Sequence, residues 1–155
     1  MTSNTSIAKA IGWGVAICGT LDISDALIFY RLYSHVAPMR LLQSIASVLI
    51  GRSAFTGGAQ TALLGLAIHY TIALCWTVLF VLLAQKLPWM SREAVRTGIG
   101  YGLLVYAVMN YVVLPLFHAA PRSHVPIVMV NAVLALVLFI GVPIALINRK
   151  FAPRW

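Results

Sequence analysis

Two carboxylates lie inside the first long apolar stretch of the chain, between about Ile7 and Tyr30. Asp22 and Asp25 are two of the three acidic residues in the sequence, and their i, i+3 spacing places both on one face of a helix. A carboxylate within a membrane-spanning helix is costly, so it normally faces a protein interior or a watery cavity and has a partner. The pair therefore predicts a buried polar site that binds a proton or a small ion.

Further polar side chains recur in the later apolar stretches at a depth similar to that of Asp22. His69 can change its charge near neutral pH, and Asn110 is the expected hydrogen-bond acceptor of a protonated Asp22. Polar groups in hydrocarbon associate with one another, because each unpaired group is costly. The predicted cluster comprises Asp22, Asp25, His69 and Asn110, with Asn131 nearby and Arg52 as a candidate counter-ion.

Two interpretations of this cluster remain open. Polar residues commonly join the helices of a membrane bundle, so the cluster can serve packing alone. A carboxylate pair beside an imidazole can also titrate, which packing does not require. The first interpretation predicts a structural or accessory membrane protein. The second predicts a transporter or channel subunit that handles protons or small ions.

The composition of the chain is that of a polytopic membrane protein. Of its 155 residues, 61% are hydrophobic and 9% are charged, and the mean hydropathy is +0.94. A soluble domain carries roughly a quarter charged residues. The net charge of +8 does not indicate nucleic-acid binding, because the basic residues are scattered at the ends of apolar segments, as membrane topology signals are.

Four apolar segments meet the length of roughly 20 residues that a helix needs to cross a bilayer. We expect the first to be retained rather than cleaved as a signal, because Ile17 fits poorly before Cys18 in a lipoprotein cleavage box. Pro143 is expected to kink the last segment. The predicted fold is an all-α, four-transmembrane-helix bundle in a single domain, with spans at about 8–30, 58–86, 95–117 and 126–148.

The segment 38–52 is too short to span and is predicted to be an amphipathic helix at the outer surface. Pro38 suits the first turn of a helix, and apolar residues from Leu41 to Leu49 then recur at helical spacing. The opposite face is predicted to carry Arg40, Gln43, Ser44, Ser47 and Arg52. The segment can be a surface anchor, or a lid that is buried over a site.

The basic residues predict both termini in the cytoplasm. With that orientation, seven Lys or Arg residues lie inside and four lie outside, as the positive-inside rule requires. The inner set is Lys9, Lys86, Arg92, Arg96, Arg149, Lys150 and Arg154, and the outer set is Arg31, Arg40, Arg52 and Arg122.

A short internal repeat relates the first and third spans. The motif at 11–14, Ile-Gly-Trp-Gly, matches Ile-Gly-Tyr-Gly at 99–102, and at the same offset Asp22 falls on Asn110. The chain therefore reads as two tandem hairpins related by a pseudo-two-fold axis along the membrane normal, with a site at their interface.

Sequence signatures of an enzyme or a metal centre are not found. The chain has no GxSxG, HExxH or Walker motif, and its histidines have no i, i+4 pair that would suit a metal. We therefore predict no catalytic residue, no metal, no cofactor and no nucleic-acid partner. The expected partners are the lipid bilayer and either further copies of the chain or another membrane protein.

One region resembles a known family. Gly65-x3-His69, Gln85-Lys86-Leu87-Pro88, Gly98-x3-Gly102 and Pro115 together are similar to the YagU-type small bacterial inner-membrane proteins. The resemblance covers about residues 58–121 and does not extend to the acidic pair or the surface helix. It implies location in the bacterial inner (cytoplasmic) membrane and supplies no catalytic or ligand residue.

Overall fold

The computed structural model of the chain describes residues 2–117 and 124–151, with side chains from Thr5 onward. Arg122 and Arg154, which contribute to the predicted orientation, lie outside the described residues. Within these ranges the chain forms helices and no strand, so the all-α prediction is confirmed. The helices are α1 Thr2–Ser34, α2 Pro38–Ile50, α3 Gly58–Lys86, α4 Trp89–Arg92, α5 Ala94–Val108, α6 Leu114–Leu116, α7 Pro126–Ala135 and α8 Val142–Phe151.

Four helical segments of the described chain are long and apolar enough to cross a membrane. Their ends lie within about one helical turn of the bounds that the sequence predicts. Large apolar side chains such as Leu32 and Leu63 are exposed on them, as lipid-facing residues would be. The segments are span 1 Thr5–Ser34, span 2 Gly58–Lys86, span 3 Ala94–Leu116 and span 4 Pro126–Phe151.

A turn of π-helix interrupts span 3 and another interrupts span 4. These π turns, Met109–Val113 and Leu136–Gly141, each lie just before a proline, Pro115 or Pro143. A proline lacks an N–H group and its ring clashes with the carbonyl four residues earlier, so a wider turn at that point accommodates it. The predicted distortion of span 4 therefore takes the form of a π turn, and span 3 has a second one that the sequence analysis did not predict.

Glycines allow spans 3 and 4 to pack backbone to backbone. A Cβ atom added at Gly141 would overlap the carbonyl oxygen of Gly98 and would lie 2.7 Å from the nitrogen of Gly102. Small residues permit such close approach between membrane helices. Gly100 faces away from this contact, because a Cβ there would meet no other atom within 4 Å.

The best-packed core lies toward the end where α4 joins span 2 to span 3, which we call the closed end. Phe80 and Ile144 are fully buried there. The Tyr101 hydroxyl donates a hydrogen bond of 2.6 Å to the Trp76 carbonyl, and its ring meets Phe80 edge-on at 4.9 Å. Asn148 donates to the Ser91 hydroxyl at 3.0 Å and so ties α8 to α4. The link between spans 2 and 3 contains the short helix α4.

Helix α2 packs directly on α3 and not only on a membrane surface. A Cβ at Gly65 would overlap the carbonyl oxygen of Leu42, so the two backbones touch. Gln43 is buried and donates to the Gly58 carbonyl at 3.1 Å and to the Thr61 hydroxyl at 3.4 Å. The prediction that Gln43 lies on the polar outer face was therefore wrong, because the side chain points toward α3 and its amide nitrogen is bonded to the first turn of that helix.

Candidate functional site

A cavity of about 590 Å³ lies on the opposite side of the core from the closed end. Helices α1, α2 and α3 and spans 3 and 4 all contribute to its wall. The two π turns face it through Met109, Asn110, Leu136 and Ile140. The wall also includes Ser44, Ile45, Ser47 and Val48 of α2. Helix α2 therefore forms part of the cavity wall, and the choice between a surface anchor and a lid stays a prediction.

Asp22 and His69 meet at the wall of this cavity. An oxygen of the Asp22 carboxylate lies 4.0 Å from His69 Nδ1, and His69 Nε2 lies 2.8 Å from the Gly19 carbonyl oxygen. A carbonyl oxygen only accepts hydrogen bonds, so Nε2 must carry a proton and donate. Nδ1 is then the nitrogen that faces the carboxylate.

Gly19 makes this approach of α3 to α1 possible. A Cβ at Gly19 would lie 2.8 Å from Cε1 of the Tyr70 ring, so a larger residue would push the two helices apart. The Tyr70 hydroxyl in turn shares a hydrogen bond of 2.8 Å with Thr20. Two adjacent residues of α3 therefore bond to α1, His69 to the Gly19 carbonyl and Tyr70 to the Thr20 hydroxyl. Together they hold the His69 ring in place.

Asn110 lines the same cavity without bonding to the acidic pair. Its side-chain nitrogen donates at 3.0 Å to the carbonyl of Tyr106, one turn earlier on the same helix. Asn110 itself lies at the start of the π turn Met109–Val113. The structure therefore brings Asp22, His69 and Asn110 around one space. The expected hydrogen bond from Asp22 to Asn110 is not among the contacts of the described residues, although the Asn110 side-chain oxygen is not used by the bond to Tyr106.

Asp25 and Asn131 form a separate pair. Asn131 donates to the Asp25 carboxylate at 3.0 Å and links α1 to α7. Neither residue contributes to the cavity wall. The predicted cluster is thus divided in two. Residues three apart on a helix point about 60° away from each other, and here that difference is enough for Asp22 and Asp25 to meet different neighbours.

Arg52 does not pair with either carboxylate. It lies exposed in a short 3-10 turn, Gly51–Phe55. The ion pairs within the described ranges are Asp22 with His69 and Glu93 with Arg96. The prediction of Arg52 as a counter-ion is therefore not met in the described chain, where this side chain is exposed and forms no ion pair with Asp22 or Asp25.

Several side chains at the site were not singled out by the sequence analysis. Trp76 and Tyr106 line the cavity as apolar span residues, and nothing in their spacing distinguishes them from lipid-facing aromatics. Gly19 carried a usable signal, since an isolated glycine in a membrane helix often marks a close contact. Gly65, which the sequence analysis used only for the family resemblance, carried the same signal. Pro115, which the sequence analysis used only for the family resemblance, carried another signal, since a proline inside a span distorts the preceding turn of the helix.

The ionisable side chains of the site are a carboxylate and an imidazole. In the described part of the chain, no group of three or more His, Cys, Asp or Glu side chains could hold a metal ion. The carboxylate and the imidazole are both bases that can share or pass a proton.

Comparison with protein-family models, with curated proteins and with solved structures gives no match. The similarity to YagU-type proteins therefore stays a prediction, and the chemistry of the site must be argued from its own residues.

Proposed function

We propose that this chain is a proton-handling subunit of a small membrane transporter or channel, and that Asp22 and His69 are the groups that carry the proton. The observation that carries the proposal is the approach of Asp22 to His69 Nδ1 at 4.0 Å on a cavity wall.

The proton count at this pair follows from its contacts. Since Nε2 donates to Gly19, a neutral His69 would turn a lone pair on Nδ1 toward a negative carboxylate. Two facing acceptors repel, and an uncompensated carboxylate beside an apolar wall is costly. One additional proton, on either Nδ1 or Asp22, removes both penalties. We therefore describe the pair as a one-proton store, meaning that it binds one proton beyond that on Nε2 and exchanges this proton with the cavity.

The proposed setting is the bacterial inner membrane with both termini in the cytoplasm. Its support is the group of exposed basic residues at the closed end, where positive charge favours the cytoplasmic side. They are Lys86, Arg92, Arg96, Arg149 and Lys150. The YagU-type similarity and the tandem-hairpin repeat belong to the same proposal. A bundle of only four spans has few walls for a continuous path across the membrane, so we propose that permeation requires further copies of the chain or a membrane protein partner.

A second candidate function is structural. The hydrogen bond from Asn131 to Asp25 joins α1 to α7, and His69 joins α3 to α1. Such bonds between membrane helices specify packing. On this account the chain is an accessory protein, and neither carboxylate needs to change its protonation.

Proton flux in liposomes separates the two candidates. The full chain is reconstituted into liposomes that contain a pH-sensitive dye. A potassium gradient with valinomycin sets up a membrane potential, negative inside, that drives proton entry. We expect Asp22→Asn and His69→Gln to reduce the flux to the level of empty liposomes. Asp25→Asn is the matched control, since it is an acid on the same helix away from the cavity, and it should retain flux. Equal flux in the wild type, Asp22→Asn and empty liposomes would favour the structural role.

A further inference from the structure

The cavity is much larger than a proton path requires. Its volume of about 590 Å³ falls within the range of roughly 300–1,000 Å³ that is typical of sites for organic ligands. Its wall is mostly apolar, with side chains such as Ile68, Ile72 and Leu136. A hydrated inorganic ion would find few oxygen ligands there, whereas an organic molecule would find extensive apolar contact.

The charge of the wall selects among organic molecules. Asp22 is the acidic residue of the wall, and no Lys or Arg lies among the described residues that line it. Arg40, the basic residue of α2, is not among the lining residues. Its guanidinium lies over the ring of Phe55, a wall residue, at 4.6 Å and donates to the Phe55 carbonyl at 3.3 Å. A ligand with a negative charge would meet the carboxylate without a compensating cation. A ligand with a positive charge would neutralise it.

Aromatic side chains complete a site for a cation. Trp76 and Tyr106 both line the cavity with Asp22 and His69, and Tyr30 lines it from the end of span 1. The faces of such rings attract organic cations, most strongly where water is excluded. A carboxylate with aromatic neighbours in an apolar cavity is the arrangement that recognises a substituted ammonium or phosphonium group.

We propose that the cavity binds a lipophilic organic cation, and that this cation and the proton of the Asp22–His69 pair replace one another. The inference rests on the proposed proton-handling function and names the substrate class of that site. When the cation enters, its charge neutralises Asp22, and the pair releases its additional proton to water. When the cation leaves, the pair takes a proton back. No covalent bond to carbon forms or breaks, and charge is conserved in each direction.

The other titratable side chains near the pair are already engaged or lie across the cavity. On α1, the Cys18 thiol donates to the Ile140 carbonyl at 3.8 Å, and Asp25 accepts from Asn131. On α3, Tyr70 bonds to Thr20. Tyr30 and Tyr106 line the cavity from span 1 and span 3, and α2 and span 4 add no titratable group to its wall. Proton release on binding is therefore assigned to Asp22 and His69.

Calorimetry on the purified full chain tests the exchange. Tetraphenylphosphonium is titrated into the protein in detergent at pH 7, in two buffers with different enthalpies of protonation. We expect saturable binding with release of about one proton per cation, by the linkage between ligand and proton binding. Asp22→Asn should weaken binding by about tenfold or more, since a charge-assisted contact is lost. Asp25→Asn should bind as the wild type does.

The wild-type chain supplies a second test that needs no variant. Tetraphenylborate has the same shape as tetraphenylphosphonium and the opposite charge, and we expect it to bind at least about tenfold more weakly. Equal affinity for the two ions would overturn the inference and would indicate a purely apolar site, such as one for a lipid acyl chain. Cation binding with no proton release would also overturn it, as would equal weakening by Asp22→Asn and Asp25→Asn.

Failure of this inference is distinguishable from failure of the proposed function. Proton flux that requires Asp22, without any binding of the phosphonium, leaves the function standing and removes the organic cation. Phosphonium binding with proton release, in liposomes that show no Asp22-dependent proton flux, supports the exchange site and removes the role in proton transport.

Discussion

The two ends of this small protein differ in packing, since one is a close-packed core and the other surrounds a cavity. At the closed end, Phe80, Tyr101 and Ile144 form a packed core, and glycines bring spans 3 and 4 into backbone contact. At the other end the π turns, α2 and α3 surround a cavity in which Asp22 and His69 lie. Tight packing fixes the helices at one end, so that the other end can hold an open space and ionisable groups. Even in a chain of 155 residues, the part that stabilises the fold and the part that carries the ionisable groups can therefore lie in different regions.

The largest effect is expected from a substitution that forces the closed end apart. Gly141→Leu would drive a side chain into the backbone of Gly98 and Gly102. Overpacking typically costs about 1–3 kcal/mol and occasionally more, and because the obstacle here is backbone on another span, we expect a loss greater than that of the substitutions below. We expect the variant to lose its cooperative thermal transition in detergent. Gly100→Leu is the matched control, because a Cβ there meets no other atom within 4 Å, and its transition should change little. Similar losses in both variants would contradict the backbone contact.

The next largest effect distinguishes the core from the cavity wall. Phe80→Ala removes a fully buried ring and should cost about 3–5 kcal/mol. Met109→Ala shortens a partly buried side chain beside an existing cavity, so its cost should be clearly smaller. Chemical denaturation in mixed micelles measures both. A greater loss for Met109→Ala would show that the cavity is filled and contributes to the core.

A third substitution should act on one helix alone. Gly65→Val would displace α2 from α3, since even a Cβ at this position overlaps the Leu42 carbonyl oxygen. We expect amide hydrogen exchange of Pro38–Ile50 to become fast while the closed end keeps its protection. Gly12→Val serves as the control, because its Cβ would meet nothing within 4 Å. Uniform loss of protection would mean that α2 is part of the cooperative core.

The smallest effect is expected at the second polar pair. Asn131→Ala removes the hydrogen bond to Asp25, and bonds between membrane helices average about 0.6 kcal/mol. Thermal unfolding should shift only slightly, and proton flux should be unchanged. A loss of flux equal to that of Asp22→Asn would join the two pairs into one site and would remove the distinction drawn between them.

The sequence predicted the four membrane-spanning helices, but it did not predict which face of each helix packs on which neighbour. Apolar length alone predicts four spans, and Gly58 ends the preceding turn with a φ of 58° that favours glycine. Which face of a span meets which neighbour depends on packing across the chain, where residues far apart in sequence meet. Asp25 was therefore grouped with Asp22 although each has a different partner, and Gln43 was placed on the wrong side of α2.

Part of the site could be predicted because polar groups are scarce in this chain. Asp22 and His69 stood out as ionisable residues at similar depth, and the structure places them together. The cavity could not be predicted, since its wall is made of ordinary apolar residues and its shape depends on two π turns. Those turns follow from Pro115 and Pro143 only when the path of the helix beyond each proline is known.

The most direct test of the one-proton store is the ¹⁵N NMR spectrum of His69 in lipid bilayers at neutral pH. Our account predicts that Nε2 carries a proton, and that the signal of Nδ1 changes between the wild type and Asp22→Asn, because its carboxylate partner is removed. Asp25→Asn should leave both signals in place. A spectrum in which Nε2 carries no proton, or in which Asp22→Asn changes neither nitrogen, would contradict the account.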